Sequence, residues 1–237
     1  MPAHVLDNPI WASLSTLHRS LALEEPGALR YPAEIAPFLG VPGHGPIGAT
    51  ALEQLVAPGE IVYLVGPSPS VPPGWRLEDL GLLLQMVCAE RLAEVPGPPI
   101  VPLTDAHRPS VLALTALVYP HYFRPRTMEL GRYFGVLEGD RLAAMIGERM
   151  GAPGFREISA VCTHPDFTGR GYARRLLVFL TNDNLERGAT PFLHVSSLNE
   201  RAIALYEQNG YHTRREVPFW SLCRSTGPAG AGARPPG

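Results

Sequence analysis

Residues 157–211 read EISAVCTHPDFTGRGYARRLLVFLTNDNLERGATPFLHVSSLNERAIALYEQNGY, and this stretch decides how the rest of the chain is interpreted. Its first half contains a short apolar run that ends at His164 and Pro165, a turn with Gly169 and Gly171, and apolar residues at helical spacing. Its second half contains another apolar run and another helical pattern, which stops at an Asn-Gly pair. We therefore predict a strand, a glycine turn and a helix, followed by a second strand and helix.

The glycine turn has the features of an anion site. Gly169 and Gly171 let backbone N–H groups approach a ligand without a Cβ in the way. The helix that begins there adds unpaired N–H groups and the positive end of its dipole. Arg170, Arg174 and Arg175 add full positive charge. A diphosphate suits such a place, although a lone G-x-G turn more often only begins a helix.

Two common nucleotide-binding motifs are excluded by the residues themselves. A Rossmann fingerprint requires a third small residue where Arg174 stands. A Walker loop requires Gly-Lys-Ser/Thr, and all 20 basic residues of this sequence are Arg.

Two motifs in this stretch resemble those of the GNAT superfamily of N-acetyltransferases. Residues 169–173 (GRGYA) resemble the end of its motif A, Arg/Gln-x-x-Gly-x-Gly/Ala, with Gly171 and Ala173 on the last two positions. Residues 199–211 (NERAIALYEQNGY) resemble its motif B, and two motifs in the right order are more specific than one. Thr168 stands where motif A has Arg or Gln, which implies a lost or weakened pyrophosphate contact. Within the family, the sequence looks closest to the branch that holds the glycine N-acyltransferases.

The resemblance implies a fold, a cosubstrate and a set of contacts. The fold is α/β, an α+β mixed sheet with helices on both faces, whose strands near 156–163 and 191–196 splay apart to admit pantetheine. The cosubstrate is acetyl-CoA, with no metal, and a backbone N–H at or near Val161 would polarise the acetyl carbonyl. Cofactor contacts are expected at Ala160, Val161, Cys162, Thr163, Thr168, Gly169, Arg170, Gly171, Tyr172, Ala173, Arg174, Asn199 and Tyr206.

The resemblance also implies catalytic roles. Tyr206 matches the family's usual acid, since a neutral phenol can protonate a departing thiolate, but the same residue could be a core aromatic. Glu157, at the head of the motif A strand, is the first candidate for the general base, and Glu148 is the second. His164 is expected to be structural, and His194 is a remote candidate for the base.

The acceptor is expected between an early loop and the last strands, as in the resembled fold. The loop is 119–126 (YPHYFRPR), and the strand residues are near 217–220. Arginines there could recognise a carboxylate and aromatics could line an apolar wall, or the loop could only close the core. The expected substrate contacts are Tyr122, Phe123, Arg124 and Arg126.

Composition limits the other partners. A net charge of −2 gives no electrostatic case for nucleic acid. No apolar run reaches the ~18–20 residues of a membrane span, and no signal-peptide pattern opens the chain, so a cytoplasmic protein is expected. The three cysteines form no CxxC pair, and Cys162 is expected to be a small core residue. The histidines have no metal-ligand spacing.

The resemblance divides the chain into three parts. Residues 1–98 lie outside it and are expected to be an N-terminal helical or mixed subdomain packed on the catalytic half. A degenerate copy of that half, or an oligomerisation module giving a homodimer, are the alternatives. Residues 99–225 form the expected acetyltransferase domain after a joint at 96–99, and 226–237 a disordered Gly/Pro/Ala-rich tail.

Local patterns predict the remaining elements. Helices are predicted at 8–23, 49–55, 77–93 and 106–118. Strands are predicted at 61–65 and 100–103, in a hairpin of 132–137 and 141–150, and as a final pair within 213–224.

The function expected from these observations is transfer of an acetyl group from acetyl-CoA to a primary amine of a small molecule or peptide, by direct attack in a ternary complex. The alternative is a non-catalytic acyl-CoA sensor or protein-interaction module on the same fold.

Overall fold

A computed structural model describes residues 4–118 and 120–225, so Tyr119 and the predicted tail lie outside the described residues. The helices are α1 (Pro9–Ser15), α2 (Ala49–Leu55), α3 (Arg108–Val118), α4 (Tyr172–Glu186) and α5 (Glu200–Glu207). The strands are β1 (Leu23–Glu25), β2 (Ala28–Arg30), β3 (Leu39–Gly40), β4 (Ile61–Val65), β5 (Trp75–Val87), β6 (Val101–Leu103), β7 (Tyr133–Glu138), β8 (Arg141–Ala152), β9 (Phe155–Thr163), β10 (Thr190–Ser196) and β11 (His212–Arg224).

Two sheets organise these elements. The larger has eight strands in the order β4-β11-β5-β10-β9-β8-β7-β6, and β1, β2 and β3 form a small separate sheet. Within the large sheet β9 and β10 run parallel, and all other pairs are antiparallel. The prediction of an α/β fold with a mixed sheet is confirmed.

The two faces of the large sheet are covered by different helices. Side chains alternate along a strand, so neighbours face opposite sides. Met145 of β8 joins a core cluster with α3, whereas Ile146 joins the cluster under α4. α1 packs on the same face as α3, against the end of β8 and against β4. The fully buried residues beneath α4 include Ile146, Leu176, Leu177 and Leu180.

The helix predicted at 77–93 is wrong, because this segment is the strand β5. It lies between β11 and β10, with Trp75 opposite Arg224 and Val87 opposite both His212 and Phe192. Residues 1–98 therefore contribute β4 and β5 to the sheet that holds the motif strands.

The predicted final pair of strands is also wrong, since β11 is one strand from His212 to Arg224. Pro218 suggests a break in the sequence, but it lies at a register shift between Pro218 and Trp220, where a bulge tolerates it. The first helix is shorter than predicted and ends at Ser15, followed by a 3-10 turn at Arg19–Leu21. The other predicted helices and strands are present, with ends shifted by a few residues.

Candidate active site

β9 and β10, the strands before and after the glycine turn and α4, separate from each other in the middle of the sheet. β9 and β10 pair only at Phe155–Thr190, Arg156–Pro191 and Glu157–Phe192. Beyond these pairs β9 stays with β8, and β10 stays with β5 as far as Ser196. A wedge-shaped opening therefore begins just after Glu157, as the splayed strands of the sequence prediction require.

A bulge in β9 faces this opening. Cys162 is opposite Met145 and Ser159 is opposite Gly147, so Ala160 and Val161 together stand opposite one residue of β8. Ala160 has a φ of 51°, which is rare for a residue with a Cβ. A bulge takes backbone groups out of the ladder and turns the strand, which makes them available to another partner. The neighbouring Cys162 is buried, and burial raises the pKa of its thiol to about 12, so it is inert at neutral pH.

The glycine turn presents a row of backbone donors. Gly169 and Gly171 have φ of 78° and 77°, and a Cβ added at either would meet open space. Gly171 is the N-cap of α4. Within the described chain, the N–H groups from Gly169 to Arg174 donate to no acceptor; the first helical bond of this region runs from Arg175 N–H to Gly171 O. The Thr168 hydroxyl donates to Pro165 O over 3.0 Å and so belongs to the preceding 3-10 turn.

The arginines and the tyrosine of the turn have partners of their own. Arg170 pairs with Glu138 over 3.3 Å, and the Tyr172 hydroxyl donates to the same carboxylate. Arg174 Nε donates to Asn209 Oδ1 over 3.1 Å. Arg175 donates to Pro98 O, in the joint at 96–99, and to Val95 O just before it, and so attaches the joint to α4. Of the three arginines, Arg170 is thus paired with β7, Arg174 with Asn209 just after α5, and Arg175 with the joint.

The motif B helix places a tyrosine beside the opening strands. Asn199 caps α5, and its Oδ1 accepts from Ala202 N–H over 3.1 Å. Tyr206, on the second turn of α5, is 9% exposed and belongs to the core cluster that contains Val195 of β10. Its ring lies 6.0 Å from that of Tyr211, whose hydroxyl is hydrogen-bonded to Thr181 over 2.7 Å.

Glu157 is fully buried at the apex of the opening, on the face covered by α1 and α3. Arg149 donates from Nε and Nη2 to its two oxygens over 2.8 and 2.6 Å, and Met150 N–H donates over 3.1 Å. His194 Nδ1 donates to Oε1 over 2.7 Å. Burial alone would raise the pKa of Glu157, but Arg149 and His194 outweigh it and hold the pKa at about 2. The carboxylate is therefore charged at neutral pH.

This hydrogen-bonded chain continues across the sheet to the N-terminal segment. Gln85 Nε2 donates to His194 Nε2 over 3.0 Å and to Leu6 O over 2.8 Å. Arg214 donates to Gln85 Oε1 and to Asp7 Oδ1, each over 2.6 Å. In this arrangement the Nδ1 side of the His194 ring faces Glu157 and the Nε2 side faces Gln85. Glu157 is thus held in place by side chains from strands β5, β10 and β11 and from the segment around Asp7.

Glu148, the second predicted base, lies on the opposite face of the sheet. Arg132 donates to its two oxygens from Nη2 and Nε, over 2.5 and 3.1 Å. The same guanidinium pairs with Asp183 of α4, and Glu148 is buried. The structure therefore separates the two predicted bases, and Glu148 lies in an ion-pair cluster between the sheet and α4.

The predicted acceptor loop packs against the end of the sheet on the Glu157 face. The Tyr122 ring lies 5.1 Å from Tyr63, 6.1 Å from Phe219 and 6.4 Å from Phe38. Arg149, the partner of Glu157, has its guanidinium carbon 4.9 Å from the centre of the Phe38 ring. We call Phe38, Tyr63, Tyr122 and Phe219 the aromatic wall. Phe123 points away from it, with its ring 5.8 Å from that of Tyr133.

The two arginines of this loop differ. Arg126 is exposed and pairs with Glu34 over 2.9 Å and with Glu129 over 2.6 Å. Arg124 is half-buried, and its guanidinium makes no hydrogen bond or ion pair with any residue that the structure describes. It lies close enough to Tyr63 to act on its pKa, which burial raises and the Arg124 charge lowers.

Several residues of the site were missed by sequence reasoning. Phe38, Tyr63, Gln85 and Arg149 carry no motif and come from four separate strands or loops. The one signal in the sequence for these residues is the alternation of side chains along β8, which puts Arg149 on the opposite face of the sheet from Glu148. In the described residues, no group of three or more His, Cys, Asp or Glu side chains could hold a metal. No helix among them is long and apolar enough to cross a membrane.

Comparisons with known proteins agree with this geometry. The family model of FR47-like proteins matches residues 133–221, which include β7 to β10, α4 and α5. A crystal structure of a protein named as an acetyltransferase from the GNAT family of Novosphingobium aromaticivorans is 33% identical. That match covers 94% of this chain and 100% of the other, with a TM-score of 0.84.

More distant structures show the same fold. A GCN5-related N-acetyltransferase from Kribbella flavida is 17% identical, with 92% of this chain and 95% of the other covered and a TM-score of 0.57. A GCN5-related N-acetyltransferase-like protein from Streptococcus suis is 13% identical, with 93% of each chain covered and a TM-score of 0.52. Among curated protein sequences, none matches the chain.

These likenesses define the protein as an acyltransferase. The chain belongs to the GNAT family, over nearly its whole length, and is an acetyltransferase of that family. The resemblance of its two motifs is thereby confirmed.

Proposed function

We propose that the protein moves an acetyl group from acetyl-CoA to a primary amine by direct attack in a ternary complex. The observation that carries the proposal is the row of N–H groups from Gly169 to Arg174, which have no acceptor in the described chain. They stand at the positive end of α4 with open space above both glycines. A diphosphate supplies the acceptors and the charge that such a row lacks, so the residues present fit coenzyme A.

The opening between β9 and β10 would position the reacting ends of both substrates. The bulge at Ala160 and Val161 offers backbone groups to a pantetheine arm, and an N–H there would polarise a thioester carbonyl. Removal of one such donor typically lowers the rate by ~10²–10³-fold. Correct positioning of two reactants contributes up to roughly 7–11 kcal/mol, which makes it the largest effect available here.

Tyr206 is proposed as the acid that protonates the departing thiolate, while the proton that the attacking nitrogen loses passes to solvent and solvent restores the phenol. It lies on α5 beside β10, and a phenol is neutral and can donate at pH 7. Asn199 positions this helix through its cap.

Glu157 is proposed to fix the amine by its charge. A carboxylate with a pKa of about 2 is too weak a base to take a proton from an ammonium ion at neutral pH. The amine is therefore expected to bind in its neutral form, beside a negative charge that favours the positive charge appearing on nitrogen during attack. Glu148 is proposed to support the packing of α4, because it faces away from the opening.

The melting temperature of the protein with millimolar acetyl-CoA, and with NAD and ATP as controls, tests the cosubstrate. A ligand at 100 times its Kd stabilises by about 2.7 kcal/mol, which raises Tm by a few degrees for a chain of this size. Release of free CoA is then followed with a panel of amines. A shift with acetyl-CoA alone, followed by CoA release, supports the proposal. No shift would overturn it, and tight binding without CoA release from any amine would favour the acyl-CoA sensor.

A further inference from the structure

We propose that the acceptor amine also carries a carboxylate, which Arg124 binds, and an apolar part, which lies on the aromatic wall. This inference rests on the proposed acetyl transfer and names the class of its second substrate.

Arg124 stands out among the arginines of the chain. Of those in residues 4–118 and 120–225, only Arg124 and Arg201 have side chains that make no hydrogen bond or ion pair, and Arg201 is exposed on α5. A half-buried guanidinium without a partner loses part of its hydration and regains nothing. A carboxylate compensates best for this lost hydration, because its two oxygens match the planar fork of the guanidinium.

The surroundings of Arg124 agree with a ligand rather than with a structural ion pair. Its backbone N–H is fixed by the Thr127 hydroxyl over 2.7 Å, so the loop is held without the side chain. Thr127 in turn donates to Ile35 O over 2.7 Å. The neighbouring Arg126 takes both nearby carboxylates, Glu34 and Glu129. The positive charge of Arg124 therefore stays uncompensated inside the part of the chain described.

The aromatic wall links Arg124 to the apex of the opening. Tyr63 is close to Arg124 and stacks on Phe219 with ring centres 5.4 Å apart. Tyr122 connects Tyr63 to Phe38, and Phe38 lies under the guanidinium of Arg149.

The second end of this path is the carboxylate of Glu157, paired with Arg149 over 2.6 Å. Arg124 thus lies at one end of a row of packed rings, and the charged Arg149–Glu157 pair lies at the other. Phe38 and Glu157 are buried, so the ligand would contact Arg124 and the partly exposed rings of Tyr63, Tyr122 and Phe219. A molecule with a carboxylate, an apolar group and an amine is complementary to that order of groups, with its amine directed towards the opening. Apolar amino acids and short peptides with a free C-terminus are molecules of this class.

Matched pairs of acceptors test the inference. We would measure kcat/KM for apolar amino acids and dipeptides, each beside its C-terminal amide, and express the values per neutral amine because amidation lowers the pKa of the amine. The free carboxylate should be preferred by about 10- to 100-fold, as expected for a charge-assisted pair. R124Q should remove this preference, because the free acids lose the guanidinium and their kcat/KM falls to that of their amides. R124K should restore part of it, since Lys keeps the charge but not the fork.

R201Q is the control, because it removes the other unpartnered arginine and changes the net charge equally. It should keep the full preference. Equal rates for acids and amides in the wild type, or a preference that survives R124Q, would overturn the inference while leaving acetyl transfer intact. If no amine releases CoA, calorimetric titration of the same acid and amide pairs into acetyl-CoA-saturated protein still tests the carboxylate site. Equal affinities for acid and amide would overturn that site, whether or not the protein transfers acetyl groups.

Discussion

His194 Nδ1 donates to Glu157 Oε1 over 2.7 Å at the point where β9 and β10 separate. His194 also accepts from Gln85, and Glu157 is held by Arg149 on its other side. The opening of the sheet therefore begins at a fixed negative charge rather than at a group that exchanges protons. Three predictions follow from this charge and two from the elements around it.

E157Q is expected to lower the free energy of unfolding by about 3–5 kcal/mol, because it leaves the Arg149 guanidinium buried without its charge partner. E24Q removes the acid of an exposed Arg–Glu pair, Arg19–Glu24, and should cost less than about 1 kcal/mol. Urea denaturation of both variants at pH 7 measures the difference. Equal losses would mean that Glu157 is not an essential partner in the buried network.

The same pair makes stability depend on pH. The pKa of Glu157 is lowered from 4.5 to about 2, so its contribution is complete above pH 4.5 and is lost as pH falls toward 2. The shift corresponds to about 3 kcal/mol. The difference in unfolding free energy between wild type and E157Q should therefore shrink over that window. A difference that stays constant down to pH 3 would contradict the low pKa.

The rate of acetyl transfer should follow the pKa of the acceptor amine. Because Glu157 cannot accept a proton near neutral pH, kcat/KM should rise about tenfold per pH unit until the amine itself is neutral. Two acceptors whose amine pKa values differ should give profiles displaced by that difference. A single apparent pKa shared by both acceptors would instead reveal a general base on the enzyme.

Gly171→Ala separates ligand binding from backbone strain when it is compared with Gly188→Ala. Both glycines lie at the ends of α4 with φ near +76°, at 77° and 75°, and an added Cβ meets open space at each. Each variant should lose about 1–2 kcal/mol of stability from the left-handed conformation. Only Gly171→Ala should weaken acetyl-CoA binding, measured by direct titration rather than by Tm. Equal affinities in the two variants would remove the turn from the cosubstrate site.

Tyr206→Phe and Tyr211→Phe form a second matched pair. Tyr206→Phe should lower kcat by about 10²–10⁴-fold, since it removes a proposed acid and keeps the ring. Tyr211→Phe breaks the buried hydrogen bond to Thr181 and should cost about 1–2 kcal/mol of stability with kcat retained. Steady-state kinetics and thermal melts of both variants check this. A normal kcat in Tyr206→Phe would assign that residue to the core alone.

The sequence predicts the elements that carry local signals. The glycine turn, the Asn199 cap and the apolar stripe of α4 are properties of neighbouring residues, and the structure places each as expected. The segment of β5 is predicted as a helix because Leu80, Leu83, Leu84 and Val87 recur at helical spacing. Its strand conformation is set by β11 and β10, which lie far away in sequence, and pairing of this kind overrides local periodicity.

The sequence predicts the candidate site only in part, for the same reason. Glu157 is predicted from its position at the head of the motif strand, but its low pKa depends on Arg149 and His194 from two other strands. Arg124 and Arg126 look alike in the sequence, and the carboxylates of Glu34 and Glu129, both paired with Arg126, distinguish them in the structure. The left-handed Ala160 follows from the register of β8 against β9, which no single-strand pattern specifies.

The place of β5 in the sheet has a consequence for how the protein is made. Trp75 pairs with Arg224, so β5 must wait for the last strand of the described chain before its long edge is covered. At ribosomal rates of about 5–20 residues per second, that wait is roughly 7 to 30 seconds. β4 waits for the same partner, since β11 lies between the two. The N-terminal part of the chain thus leaves the ribosome with two unpaired strands, and the newly made protein depends on reaching its C-terminal strand before another chain pairs with them.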